Sequence, residues 1–477
     1  MLFNSIEFFL FLPIVFIIYW LLGSQRIKCQ NLLIAISSYV FYGWWDWRFL
    51  LLILFSSVVD YSIGLSLNST KKKLKRKVLL WISISINLGF LGFFKYYNFF
   101  IDSIVESFTF FGSKLSINTL NIILPVGISF YTFQTLSYTI DVYKNKLEPT
   151  KDFVGFMAFV SFFPQLVAGP IERATNLLPQ FHKKRNFNYA KAVDGLRQVL
   201  WGLFKKVVIA DNCAKYANII FNNYEDYSGS TLLLGAFFFA FQIYGDFSGY
   251  SDIAIGISRL FGFDLKRNFA FPYFSRDIAE FWRRWHISLS TWFRDYLYIP
   301  LGGSKGGLRM KIRNTFIIFI VSGFWHGANW TFIVWGALNA IYFLPLLLLN
   351  KNRVNTGLVA EGKFLPTLRE LGQMSFTFFL TLIAWVFFRA DNVTQAFIYI
   401  KNIFTISIFS KPDLFPITII VLLIFFIIIE WLGRFGEFAI QKIDYLNKPL
   451  RWSFYFLLII LMFSFTGEQQ EFIYFQF

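Results

Sequence analysis

Phe8-Phe9-Leu10-Phe11-Leu12-Pro13-Ile14-Val15-Phe16-Ile17-Ile18-Tyr19-Trp20-Leu21-Leu22 holds no charged side chain and is followed closely by the basic Arg26 and Lys28. Extended into its polar flanks, such a run reaches the roughly 20 residues a helix needs to cross about 30 Å of hydrocarbon. No basic segment precedes it and no small-residue cleavage site lies before Arg26, so it reads as a retained first span and not as a signal peptide. The same charge-poor character returns in Leu50 to Leu65, Leu232 to Ile243, Phe316 to Val321, Phe376 to Phe388 and Ile417 to Ile429. These runs predict an all-α polytopic membrane protein with roughly ten or eleven transmembrane helices.

Composition agrees, since 56% of the 477 residues are hydrophobic and 22% aromatic. The formal charge of +17 would point to nucleic acid in a soluble protein, but here the basic residues lie mainly between apolar runs, where they set topology. Lys71-Lys72-Lys73-Leu74-Lys75-Arg76-Lys77 is the strongest such block and is expected in the cytoplasm, against anionic lipid. Counting back three spans places the N-terminus outside and the Arg26/Lys28 turn inside. Cys29 and Cys213, the two cysteines, offer neither a disulfide framework nor a metal site.

With no tandem repeat or low-complexity linker, one transmembrane domain over residues 1–477 is the simplest division. N-terminal helices occupy 1–100, a core 120–350, and C-terminal helices with an aromatic tail 370–477. Leu124-Pro125-Val126-Gly127, leading to Gln134, and Phe163-Pro164 to Pro170 are apolar but broken by Pro and Gly. Their freed backbone groups must be buried in protein or face a wet cavity, which makes Gln134 a cavity candidate. Between about Phe241 and Gly306, Asp246, Ser248, Asp252, Arg283 and Ser290 crowd among aromatic residues. The spacing of Trp282, Trp285, Leu289 and Trp292 predicts one short embedded or re-entrant helix over Ile278 to Phe293.

Of three histidines, His326 falls about ten residues into an apolar helix, beside Trp325, with Asn329 expected three positions on along the same face. An ionisable group at membrane depth is a functional hypothesis by default, and a near-neutral imidazole suits a general base that takes a proton from a hydroxyl attacking an acyl carbonyl. Its structural alternative is a neutral ring bonded to another helix's carbonyl. His286 is expected to share a helix face with Arg283 and Ser290, where it either orients a donor or assists His326, or else sits as an interfacial residue among arginines. His182 belongs to a solvated basic face. No spacing supports a metal site or a serine nucleophile elbow. Asp246 and Asp252 either cap helices, line a polar channel, or act as ion ligands of a transporter or flippase, which is the alternative function. Asn329 and Trp325 are candidate oxyanion donors.

Taken together, Tyr244-Gly245-Asp246-Phe247-Ser248-Gly249-Tyr250-Ser251-Asp252, Asn268-Phe269-Ala270-Phe271-Pro272-Tyr273, the block from Phe281-Trp282-Arg283-Arg284-Trp285-His286 through Pro300-Leu301-Gly302-Gly303, and Trp325-His326-Gly327 closely resemble the membrane-bound O-acyltransferase (MBOAT) family. The closer branch contains the alginate and peptidoglycan O-acetyltransferases and the teichoic acid D-alanyl transfer proteins. The likeness implies the MBOAT fold, helices around a central funnel with re-entrant or interfacial helices. It also implies catalytic roles for His326 and His286, and a thin wall between a cytoplasmic and an extracytoplasmic cavity. The expected activity is O-acyl transfer, acetyl being the expected group, in the cell's inner or cytoplasmic membrane. It needs no bound cofactor: acetyl-coenzyme A or a carrier-protein thioester serves as donor substrate. An exported polysaccharide or wall polymer is the acceptor, reached directly or through an extracytoplasmic esterase-like partner. Glu471-Phe472-Ile473-Tyr474-Phe475-Gln476-Phe477 resembles the C-terminal motif of the small partner in teichoic acid D-alanylation, which makes Tyr474 an acyl-carrier candidate; the alternative is an interfacial aromatic anchor.

Overall fold

A computed structural model describes residues 1–112, 115, 117, 119–167, 169–466, 470, 472 and 473. The described elements are helices joined by turns, in two compact units: Met1–Gly195 with Ile257–Lys266, and Leu196–Gly256 with Arg267–Phe477.

Five helical stretches among the described residues are long and apolar enough to cross a membrane: Ile27–Ser69, Lys73–Phe110, Gly229–Leu260, Trp330–Leu348 and Leu368–Arg389. Ile6–Leu21, Phe153–Leu166 and Ile417–Leu432 are apolar but shorter. Ile27–Ser69 is interrupted by a 3-10 turn at Trp47–Phe49, where Asp46 accepts from the Arg48 amide, so it comprises two 20-residue helices. Each is then about 30 Å long, the thickness of the hydrocarbon layer.

In the first unit a buried carboxylate ties three helices together. Asp60 on Leu50–Ser69 accepts from Ser83 (2.5 Å) and Asn87 (2.9 Å) on Lys73–Leu91, and from Thr139 (3.2 Å) on Ile128–Tyr143. Inside a bilayer such bonds hold helices together where apolar contact alone gives little preference over lipid. The backbone groups freed by Pro and Gly find side-chain partners: the Tyr42 hydroxyl donates to the Val126 carbonyl and Ser38 Oγ accepts from the Phe163 amide. The Val126 carbonyl and the Phe163 amide are thus bonded within the protein. Gly127, at φ 74°, turns the chain into Ile128–Tyr143, a conformation that only glycine adopts without a Cβ clash.

The second unit carries both histidines singled out in the sequence, His286 and His326. Gly307–His326 and Trp330–Leu348 form a close helical pair. A Cβ built on Gly323 would lie 2.2 Å from the Phe332 carbonyl oxygen, and one on Gly336 2.3 Å from that of Phe319, so both must be glycine for the backbones to approach this closely.

Candidate active site

His326 is the last residue of its helix, not an interior one, because Gly327 leaves helical geometry with φ −160° and ψ 154°. The chain crosses Gly327 to Asn329 and starts the next helix at Trp330, with Asn329 as its N-cap. Asn329 therefore does not share a helix face with His326. Its Oδ1 accepts from the Thr331 amide at 3.0 Å, and its Nδ2 donates to the Asp391 carbonyl at 2.8 Å. Oδ1 and one of the two Nδ2 hydrogens are thus used in the fold.

The helix end suits the chemistry. Carbonyls at a helix C-terminus favour positive charge, so a proton arriving on the His326 imidazole is stabilised there. The ring is 3% exposed and lies in an aromatic box, with centroid distances of 5.0 Å to Trp325, 5.1 Å to Trp335 and 5.4 Å to Phe388. Edge-on rings on several sides constrain its orientation.

The expected helix over Ile278 to Phe293 is two helices, Ile278–Arg284 and Ile287–Phe293, with His286 at the break in a left-handed conformation (φ 43°, ψ 53°). For a non-glycine residue this backbone costs energy and is often found at functional positions. The surroundings hold the break: the Ile287 amide donates to the Asn268 carbonyl, the Ala270 amide to the Arg284 carbonyl, and the Ser288 hydroxyl to Asn268 Oδ1. His286 consequently does not align with Arg283 and Ser290. Its ring, fully buried, points into the aromatic layer, with Phe247 at 4.6 Å, Trp325 at 5.9 Å and His326 at 6.2 Å between centroids.

Arg283 and Ser290 meet elsewhere. Together with Trp282, Ser322, Lys311 and Arg353 they line a cavity of about 580 Å³. Arg283 is anchored there by bonds to the Asn352 and Asn355 carbonyls at 2.9 and 2.6 Å. Ser322 lies one helical turn before His326, and the Trp282 ring packs on Trp335, itself a wall of the His326 box. The cavity therefore combines an apolar floor near the histidine layer with cations suited to a phosphate-bearing ligand.

Asp246, Ser248 and Asp252 are not open ion ligands. Asp252 accepts from Lys205 at 2.6 Å and from Gln198 at 2.8 Å, Ser248 Oγ accepts from the same lysine at 2.9 Å, and Asp246 pairs with Lys206 at 2.8 Å. This lysine pairing removes the reason for reading the two carboxylates as transport ligands. Sequence reasoning passed over Lys205 and Lys206, although two adjacent charges in Leu203-Phe204-Lys205-Lys206-Val207-Val208-Ile209 are the kind of buried ionisable signal that marks a site. Gln134 belongs to the first unit, donating to the Phe159 carbonyl and accepting from Gln165, and so serves helix packing. Tyr474 lies outside the described residues.

A model described as MBOAT, membrane-bound O-acyltransferase family, matches residues 149–364, a segment that contains both His286 and His326. Over 413 residues the chain is 41% identical to the probable alginate O-acetylase of Pseudomonas aeruginosa, covering 86% of this chain and 76% of that protein. The chain belongs to the membrane-bound O-acyltransferase family. Among other MBOAT relatives, the peptidoglycan O-acetyltransferase of Helicobacter pylori is 37% identical over 431 residues, covering 84% of this chain and 79% of the relative. The teichoic acid D-alanyltransferase of Bacillus subtilis is 29% identical over 232 residues, covering 46% of this chain and 58% of its own. As an MBOAT protein with several apolar membrane-length helices, the chain is a multi-pass membrane acyltransferase.

Proposed function

We propose that this protein is an O-acetyltransferase of the cytoplasmic membrane that takes acetyl from a thioester, acetyl-coenzyme A or an acylated carrier protein, and passes it to hydroxyls of an exported polysaccharide or wall polymer. The observation that carries this reading is His326: a buried imidazole at a helix C-terminus, one turn from a basic cavity of about 580 Å³. Relatives named as alginate and peptidoglycan O-acetyltransferases support acetyl as the group and a polymer as the destination.

In the proposed reaction, cations at the cavity, Arg283 and Lys311 among them, hold the donor's phosphates, and the thioester carbon reaches the His326 box. His326 takes the proton of an attacking hydroxyl, a C–O bond forms, and a tetrahedral oxyanion collapses with loss of thiolate. The proton on His326 then passes to the departing sulfur. The Tyr474 phenol is the proposed first acceptor, from which an extracytoplasmic partner removes the acetyl group by a second transfer to the polymer.

The test compares O-acetyl content of exported polymers in wild-type, deletion and His326→Ala cells at equal membrane levels of the protein. Loss of acetyl from one polymer in both altered strains is expected; unchanged acetylation with His326→Ala would remove the general-base role. Tyr474→Phe with undiminished acetylation would remove the carrier step alone.

A further inference from the structure

The Lys206–Asp246 pair has a second set of partners that its role in helix packing does not require. Lys206 Nζ lies 2.8 Å from Asp246 and 2.8 Å from Asp211, and also donates to the backbone carbonyl of Gln470 at 3.2 Å. Asp246 Oδ2 accepts from the backbone amide of Ile473 at 2.7 Å. Between these two bonds the Phe472 ring, fully buried, packs tilted at 4.2 Å from Tyr250 and edge-on at 6.2 Å from Phe247. Upstream, Asn212 Nδ2 donates to the Phe465 carbonyl where the Lys448–Ser464 helix ends.

We infer that Lys206, Asp246 and the Phe247–Tyr250 aromatic pair form a peptide clamp that holds Gln470 and Ile473 by their main chain and Phe472 by its ring. Chain that leaves a helix in an apolar interior must find partners for its N–H and C=O groups, and here a buried ion pair supplies them, the cation taking a carbonyl and the anion an amide. Asp211 contributes the second negative charge, which keeps Lys206 paired while it reaches towards Gln470. Main-chain bonds set the register and the aromatic slot selects a ring at position 472, the division of labour by which proteins hold extended peptides. Phe247 also touches His286, so the anchor of the segment stands two ring contacts from the histidine layer. Tyr474 is joined to a clamped residue. If Tyr474 is the acyl carrier, a step that rests on the proposed function, then Lys206 and Asp246 are positioning residues for it.

The test reads the clamp without reference to catalysis. In full-length protein carrying Cys29→Ser, the substitution Ile473→Cys places a thiol at a buried position whose clamp bond is made by its backbone. Cys213, fully buried in the same unit, reports whether that unit remains folded. Maleimide labelling at position 473 is expected to be slow in this parent, to stay slow with Lys206→Arg, and to rise about tenfold or more with Lys206→Met or Asp246→Leu, each of which removes a bond to a charged group, with Cys213 unreactive throughout. Labelling no faster in either variant, or rapid labelling in the parent, overturns the clamp. Should Cys213 also react in the charge variants, Phe472→Ala, which alters no charge, makes the same comparison, and an unchanged rate there overturns the proposal. Tyr474→Phe separates the two ideas: lost acetylation with position 473 still protected leaves both standing, while retained acetylation with 473 still protected removes the carrier step and leaves the clamp.

Discussion

The imidazoles of His286 and His326 stand 6.2 Å apart between ring centroids, one at a left-handed break between two short helices and the other at the end of a long one. Neither ring belongs to a regular helical interior, and each is placed by an interruption in the backbone. That arrangement makes the two histidines separable by substitution.

Asparagine tolerates left-handed backbone better than alanine does, so His286→Asn is expected to retain the fold while slowing acyl transfer, and His286→Ala to lose about 1 kcal/mol more stability as well. Thermal unfolding in detergent and transfer rate in proteoliposomes check the two effects. Equal stability of the two variants would contradict the strained-backbone account.

Removal of a general base costs about 10²- to 10⁴-fold in rate. His326→Ala is expected to fall in that range with donor affinity little changed, because the cavity cations do not depend on it. A comparable loss of donor binding would mean that His326 holds the donor and does not move a proton.

Asn329 acts as a helix cap here, and Asn329→Ala should cost about 1 kcal/mol of stability, most of it recovered by Asn329→Ser, with turnover per folded molecule preserved. A turnover drop of about 10²-fold at undiminished stability would instead restore it as an oxyanion donor.

Lys205 is 3% exposed and pairs with Asp252 at 2.6 Å. Lys205→Met alone leaves the part-buried Asp252 carboxylate without its cation and is expected to destabilise by about 1–3 kcal/mol, whereas Lys205→Met with Asp252→Leu should recover much of that loss. Urea or thermal unfolding of the single and double variants measures the difference.

At the basic cavity, Arg283→Ala is expected to raise KM for a phosphate-bearing thioester with little change in kcat, since binding there is shared equally by ground and transition states. A thioester lacking phosphate should be indifferent to the substitution. Equal sensitivity of the two donors would take Arg283 out of phosphate recognition.

The sequence by itself determined the membrane class, the places of the principal apolar helices, the two histidines and the family, because charge-free runs and the Phe281–Gly303 and Trp325-His326-Gly327 motifs are local properties of consecutive residues. Only the tertiary structure decided where helices stop and which side chains meet. Helical spacing runs smoothly through Trp285-His286-Ile287 and nothing local announces φ 43°, which is imposed by bonds from Asn268 and Arg284. Likewise Trp-His-Gly-Ala-Asn-Trp reads equally as helix interior or helix end until Asn329 caps the following helix. The pairing of Lys205 with Asp252, 47 residues on, and of Lys206 with Asp246 depends on the packing of two separate elements. Periodicity describes one element at a time, while a buried charge or a strained backbone is tolerated only because a distant segment supplies its partner.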